Sequence, residues 1–241
     1  MKFQRLRQRR GLLAAVRAQL VRARIVLVYA LLVLLAACAN SSPEIVSVTG
    51  TVVFDFAAEE RAPVTRLAFF MQTDSAVQRA DSIEAVHRES GMRWRVAEPR
   101  LISGADKQWA GYTNLQPAFG DDILMGAYDC FYCDAAGNEV NSSFTIDYPR
   151  ELLTATPETA QSCMPVPTTE YVALYTESGE LMFFNKRRSS WRENAAIAKD
   201  YPDAFTMRRC LVAANDSIVC LLPSETLKAP KKAAIEDADN E

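Results

Sequence analysis

Six cysteines, one histidine and a few clustered carboxylates are the side chains of this 241-residue chain that could do chemistry. Cys130-Phe-Tyr-Cys133 has the C-x-x-C spacing of a redox pair, which works when the first cysteine sits at a helix N-terminus that stabilises its thiolate. Here the flanking residues alternate as in a strand, so the two thiols point to opposite faces. Three residues of strand separate their Cα atoms by ~10 Å, beyond the ~7 Å limit for a bridge. Core packing of Cys130, with either thiol paired to Cys163, is the better reading. A zinc site would need a second close pair of ligands. Cys210 and Cys220 lie symmetrically about Asn215 in RRCLVAANDSIVCLLP. A three-residue loop Ala214–Asp216 sets them directly opposite and faces Val212 with Ile218, so a Cys210–Cys220 disulfide is expected.

With His87 as the sole histidine, two-histidine zinc motifs are impossible, and a Ser-His-Asp site would have to use that residue. On a strand His87 shares a face with Ile83 and Ala85 beside Arg88-Glu89, which fits a structural or solvated role. No G-x-S-x-G, G-x-G-x-x-G or P-loop occurs. Asp121-Asp122, and Asp134 with Asn138 and Glu139, lack the alternating oxygen ligands of a calcium loop and read as turn chemistry. Phe183-Phe184 and Trp191 mark either an apolar binding surface or, as adjacent strand aromatics usually do, one core side chain and one edge side chain. No catalytic, metal or cofactor residue is expected.

The elements that must hold these side chains are mostly strands. Val46, Val48, Thr51–Phe56 and Leu67–Met71 are β-branched or aromatic runs. Asp81–Val96 reads as two strands around Ser90-Gly91 with Ile83, Ala85, Trp94 and Val96 inward; a helix over Ser75–Val86 is the alternative. Leu124, Gly126, Tyr128, Cys130 and Tyr132 line one strand face. Asp134–Asn138 makes a turn with Gly137 in a left-handed position, and Val140 to Tyr148 returns as the partner strand. Residues 151–169 read as a Pro/Thr/Ser-rich linker. Hairpins follow at Tyr171–Phe184 and Arg208–Leu222 within a strand-rich segment 170–223, and residues 224–241 have too little apolar content to pack. Lys186-Arg187-Arg188 is a basic cluster expected in a solvated loop.

The N-terminus is different in kind. Its first 24 residues carry eight positive charges and no acid, and Ile25–Ala37 is a charge-free run of 13 residues. A spanning helix needs ~20 apolar residues, so this run fits the h-region of a secretory signal. Leu35-Ala36-Ala37-Cys38 resembles the lipobox of bacterial lipoproteins. The resemblance implies cleavage after Ala37, a diacylglycerol on the Cys38 thiol and a further acyl chain on the new amino group; two or more chains anchor stably where one does not. An uncleaved signal anchor, or a cleaved signal with Cys38 as a structural thiol, are the alternatives. Residue 39 is Ala, not the Asp that favours inner-membrane retention in enterobacteria, which implies the outer membrane. Residues 38–43 then form a short tether. From Cys38 onward the chain has 19 Lys+Arg against 30 Asp+Glu, a charge of −11. That acidity argues against nucleic acid, which needs clustered basic residues.

Gly126-Ala-Tyr128-Asp-Cys130 resembles the G-x-Y-x-C segment of immunoglobulin-like sandwiches, whose tyrosine bonds its hydroxyl to nearby backbone as a tyrosine corner. The upstream cysteine of that family is missing, so its inter-sheet disulfide cannot form. The sequence therefore predicts a mainly β, antiparallel immunoglobulin-like sandwich over 44–150 with a smaller strand-rich C-terminal segment. The function expected is a lipid-anchored, non-catalytic binding or envelope-structural module with an envelope protein partner. An enzyme or small-ligand carrier with a carboxylate-lined pocket is the alternative.

Overall fold

A computed structural model describes residues 43–57, 62–74, 79–104, 107–118 and 121–227. Cys38, the signal segment and residues 228–241 lie outside the described residues. Eight strands come first: β1 (Ile45–Asp55), β2 (Val64–Thr73), β3 (Ala80–His87), β4 (Arg93–Val96), β5 (Arg100–Ser103), β6 (Gln108–Leu115), β7 (Gly126–Asp134) and β8 (Glu139–Ile146). They pair as β1-β2-β6-β5 in one sheet and β4-β3-β7-β8 in the other. With β4 counted as an added strand beside β3, this is the order of an immunoglobulin-like sandwich, in which strands A, B, E and D face C, F and G. Residues 80–86 are strand, so the helical alternative there is not adopted; Gly91, at φ +71°, turns the chain between β3 and β4.

Period-two alternation explains the core. On β2 every second residue from Thr65 to Thr73 is buried, and on β7 Tyr128, Cys130, Tyr132 and Asp134 are. Phe54, Leu67, Phe69 and Met71 meet Ile83, Ala85, Tyr128, Cys130 and Tyr132 between the sheets. Phe144 stacks on Phe69 and Tyr128 at centroid distances of 5.8 and 5.2 Å. The Tyr128 hydroxyl donates to the carbonyl of Leu124 at 2.7 Å, the bond of a tyrosine corner. Gly137 has φ +81°, in a turn whose centre is Asp134: one carboxylate oxygen accepts from the Ala136 and Asn138 backbones, the other from the Asn138 amide and Arg79.

The segment read as a linker is part of the core. A 3₁₀ turn (Arg150–Thr154) and helix α1 (Pro157–Cys163) bury Leu152, Ala155, Ala160 and Met164 against the sandwich. Strands β9 (Thr168–Tyr175), β10 (Leu181–Lys186), β11 (Thr206–Ala213) and β12 (Ile218–Thr226), with helix α2 (Asn194–Asp200) before β11, follow as the remaining described elements. They extend the first sheet to eight strands in the order β10-β9-β11-β12-β1-β2-β6-β5. The junction is parallel: β12 lies beside β1, with Val52 opposite Ile218 and Asp55 opposite Leu221. Among the described residues, the last strand is therefore a neighbour of the first.

The expected disulfides are absent. The β11–β12 loop closes over four residues, 214–217, with Asp216 at φ +57°, one residue more than the sequence suggested. That extra residue shifts the parity, so Cys210 faces Leu221 while Cys220 faces Leu211, and the two side chains lie on opposite sides of the sheet. Cys130, Cys133, Cys163, Cys210 and Cys220 are all free, so Cys163 pairs with neither thiol of the C-x-x-C. Burial pushes the thiols of Cys130 and Cys210 up to about 11 and that of Cys220 up to about 12, far from the reactive thiolate range. Denatured without reductant, all five are expected to take an alkylating label. A mass short by two labels would restore a bridge.

Candidate functional site

The strand β10 forms one edge of the long sheet. Its entry is the turn Thr176–Glu180, where the Thr176 hydroxyl accepts from the Glu180 backbone at 3.0 Å and Gly179 takes φ +81°. The pairing with β9 then slips at a bulge between Leu181 and Phe183. Alternation sends Phe183 inward and Phe184 outward. Phe183 meets Trp191 and Tyr201 at 5.4 and 4.9 Å, while Phe184, 53% exposed, stacks on Tyr171. Leu181 is 53% and Met182 37% exposed, so three large apolar side chains stand in water on one free edge. Exposed apolar edges are a liability that most proteins remove, which makes this one informative.

A second, smaller core sits behind that edge. Val172, Leu174, Trp191, Ile197, Ala204 and Met207 enclose one another, with Phe183 and Tyr201 packed on them. Trp191 is the centre. Its indole N–H donates to the Asp200 carboxylate at 2.7 Å, and its carbonyl accepts from Arg187 at 2.7 and 3.0 Å. Arg187 and Arg209 share the carboxylate of Glu170, at 3.0 and 2.7 Å. Burial pushes that carboxyl up, but Arg209 and Arg187 outweigh it and hold it below the usual range. Arg188 lies 4.8 Å from the Trp191 ring centroid and pairs with Asp200 at 3.2 Å. Of the basic cluster expected in a solvated loop, Lys186 and Arg188 are exposed, Arg188 while lying over the Trp191 ring, and Arg187 is half-buried and braces the aromatic core.

His87 ends β3, buried against Tyr128 at 4.9 Å between ring centroids. Nδ1 meets the Ser90 hydroxyl at 2.9 Å and its backbone N–H at 3.2 Å; Nε2 lies 3.1 Å from the Met125 carbonyl. Accepting at Nδ1 and donating from Nε2 satisfies every contact. Gly126 allows this approach, since a Cβ there would stand 2.8 Å from Nε2. The ring borders a cavity of about 420 Å³ with Asp122, Tyr148 and Arg150, but the Tyr148 hydroxyl donates to the Ile123 carbonyl and both imidazole nitrogens are engaged. A larger open groove of about 690 Å³ runs between Asp147–Pro149, Pro165–Pro167 and the β11–β12 loop. Among the described residues no three His, Cys, Asp or Glu side chains gather as metal ligands.

No family model and no curated protein matches this chain. Among the described residues, no helix is long and apolar enough to cross a membrane. The β10 edge combines exposed apolar side chains with an ordered support. It was half legible in the sequence, as Phe183-Phe184. The supporting shell of Trp191, Asp200 and Tyr201 was not, because its members come together only through the fold.

Proposed function

We propose that the chain is an extracytoplasmic lipoprotein, anchored through Cys38, whose body is a non-catalytic binding module using the free edge of β10. The anchor rests on the basic segment, the apolar run and Leu35-Ala36-Ala37-Cys38. Binding rests on one observation: Leu181, Met182 and Phe184 are exposed on an ordered edge that a second core holds in place. An extended segment of an envelope protein adds as a further strand there, its backbone pairing with β10 and its side chains covering those residues. The bulge limits the pairing to a few residues, which suits recognition better than open-ended aggregation. Lys186 at the end of the strand favours a partner with an acidic residue at that point.

Two measurements test this in the native host. The acylated mass starting at Cys38 should vanish in Cys38→Ala, with loss of detergent partitioning. A photo-crosslinking residue at position 184 should give an adduct with an envelope protein, lost on Leu181→Lys with Met182→Lys. Equal adducts from position 184 and from exposed Ser143 on β8 would sink the β10 surface.

A further inference from the structure

The opposite end of the sheet carries a second apolar surface. Register places it: Ser47 of β1 faces Gln72 of β2, Gln72 faces Trp109 of β6, and Trp109 faces Ile102 of β5. The β5–β6 hairpin therefore turns at the end of the sheet where β1 begins, close to the level of Pro43. Here Val46 is 57%, Ile102 44% and Leu101 40% exposed, and Trp109 is half-buried. Ile102 pairs with Trp109 on the outer face of the sheet, whereas Leu101 pairs with buried Ala110 on the core side and is exposed because β5 is the edge strand. Tyr112, 37% exposed, stands further along β6. Arg100 and Lys107 flank these residues on the hairpin, and Glu44 and Asp74 lie at the start of β1 and the end of β2. The charges are mixed, so the surface has no strong preference for anions.

Chain length says what lies opposite. Cys38 is five residues before Pro43. Five extended residues span at most ~18 Å. If acyl chains hold Cys38 in the membrane, this end of the sandwich cannot leave the interface. A tryptophan, exposed aliphatics and flanking Arg and Lys are the residue types that settle at the headgroup level. We infer that the β5–β6 hairpin, through Leu101, Ile102 and Trp109, rests on the bilayer beside the lipid anchor and fixes the tilt of the domain. This rests on the lipoprotein reading above. The two apolar surfaces then have separate roles, the hairpin toward lipid and β10 toward a protein.

The test uses the full chain purified from its host and reconstituted in phosphatidylcholine vesicles with brominated acyl chains. Quenching of tryptophan fluorescence is expected, falling several-fold in Trp109→Phe and in Leu101→Ser with Ile102→Ser. In Trp94→Phe and Trp191→Phe, each of which removes an emitter away from lipid, the quenched fraction should stay at or above the wild-type value. Quenching that is the same in Trp109→Phe as in the wild type overturns the hairpin contact and leaves the surface to a protein or a second copy. Intact mass of the same sample reads the anchor separately: an unacylated chain overturns the anchor and this inference with it, whereas an acylated chain without Trp109-dependent quenching overturns the hairpin contact alone.

Discussion

Replacing Arg208 by alanine is expected to lower stability by about 2–4 kcal/mol, because one guanidinium ties three strands together. From β11 it donates to the Leu222 and Leu221 carbonyls of β12, at 2.9 and 3.2 Å, and to the Asp55 carboxylate of β1 at 2.6 Å. Both side chains of that ion pair are about four-fifths buried, with Arg66 on the other carboxylate oxygen at 2.8 Å. The staple crosses the parallel β1–β12 seam, where the C-terminal strands join the sandwich. Burial pushes the Asp55 carboxyl up, but Arg208 and then Arg66 outweigh it, so the folded carboxyl titrates below the usual range. A depressed acid contributes stability above its unfolded pKa, and that contribution is lost as pH falls through the folded value. Wild-type urea midpoints should therefore drop as pH falls below about 4, and the drop should be smaller in Arg208→Ala. Glu170, lowered in the same way, keeps part of the slope in both proteins. A neutral-pH difference under about 0.5 kcal/mol would remove Arg208 as the staple.

The second large effect belongs to Trp191. It is 1% exposed and fills the centre of the smaller core. Truncation to alanine is expected to cost about 3–5 kcal/mol, through the cavity it leaves and the loss of the indole N–H from the Asp200 carboxylate. Because that core is separate from the one between the sheets, the damage should be local. Amide exchange should rise across β9, β10 and α2 while β7–β8 keeps its protection. Trp191→Phe retains most of the ring contact and loses the 2.7 Å bond to Asp200, at about 1–2 kcal/mol. An even rise in exchange over the whole protein would mean that the two cores unfold as one. Since Phe183 leans on Trp191, the alanine variant should also lose the crosslink at position 184.

Strands with strict alternation were legible in the sequence. TVVFDF, LAFFM and the Ile123–Tyr148 hairpin carry large apolar residues at most alternate positions, and all three supply strands of the sandwich. The β5 and β6 strands were not read, because QWAGYTNL breaks its alternation with Ala110 and Gly111, both buried. That glycine has a reason visible only in three dimensions: a Cβ there would stand 2.1 Å from the Phe70 ring. The cysteine pairing failed for a related cause. Loop length decides parity, and the difference between three and four residues at Ala214–Ser217 is set by Asp216 in the left-handed region and by Asn215 accepting from Ser217. The linker was misread because Pro and Thr also start helices: Thr156 and Thr159 form a capping box with Pro157 in the first turn of α1. Surface function was the least legible, since exposure of a side chain follows from which strand ends up at an edge.

The parallel seam between β1 and β12 also orders events in time. Synthesis delivers β1 early, yet its neighbour on that side is the last of the described strands, more than 160 residues later, as Val52 beside Ile218 shows. Until residues 218–226 emerge, β1 offers an open row of hydrogen-bonding groups along an apolar strand. Closing so long a loop is slow, and a nascent chain with such an edge is prone to pair with the wrong neighbour. The immunoglobulin-like half is therefore not free to finish early. A chain interrupted anywhere before β12 leaves β1 with an unpaired edge, and a holding chaperone would meet such a fragment through that strand.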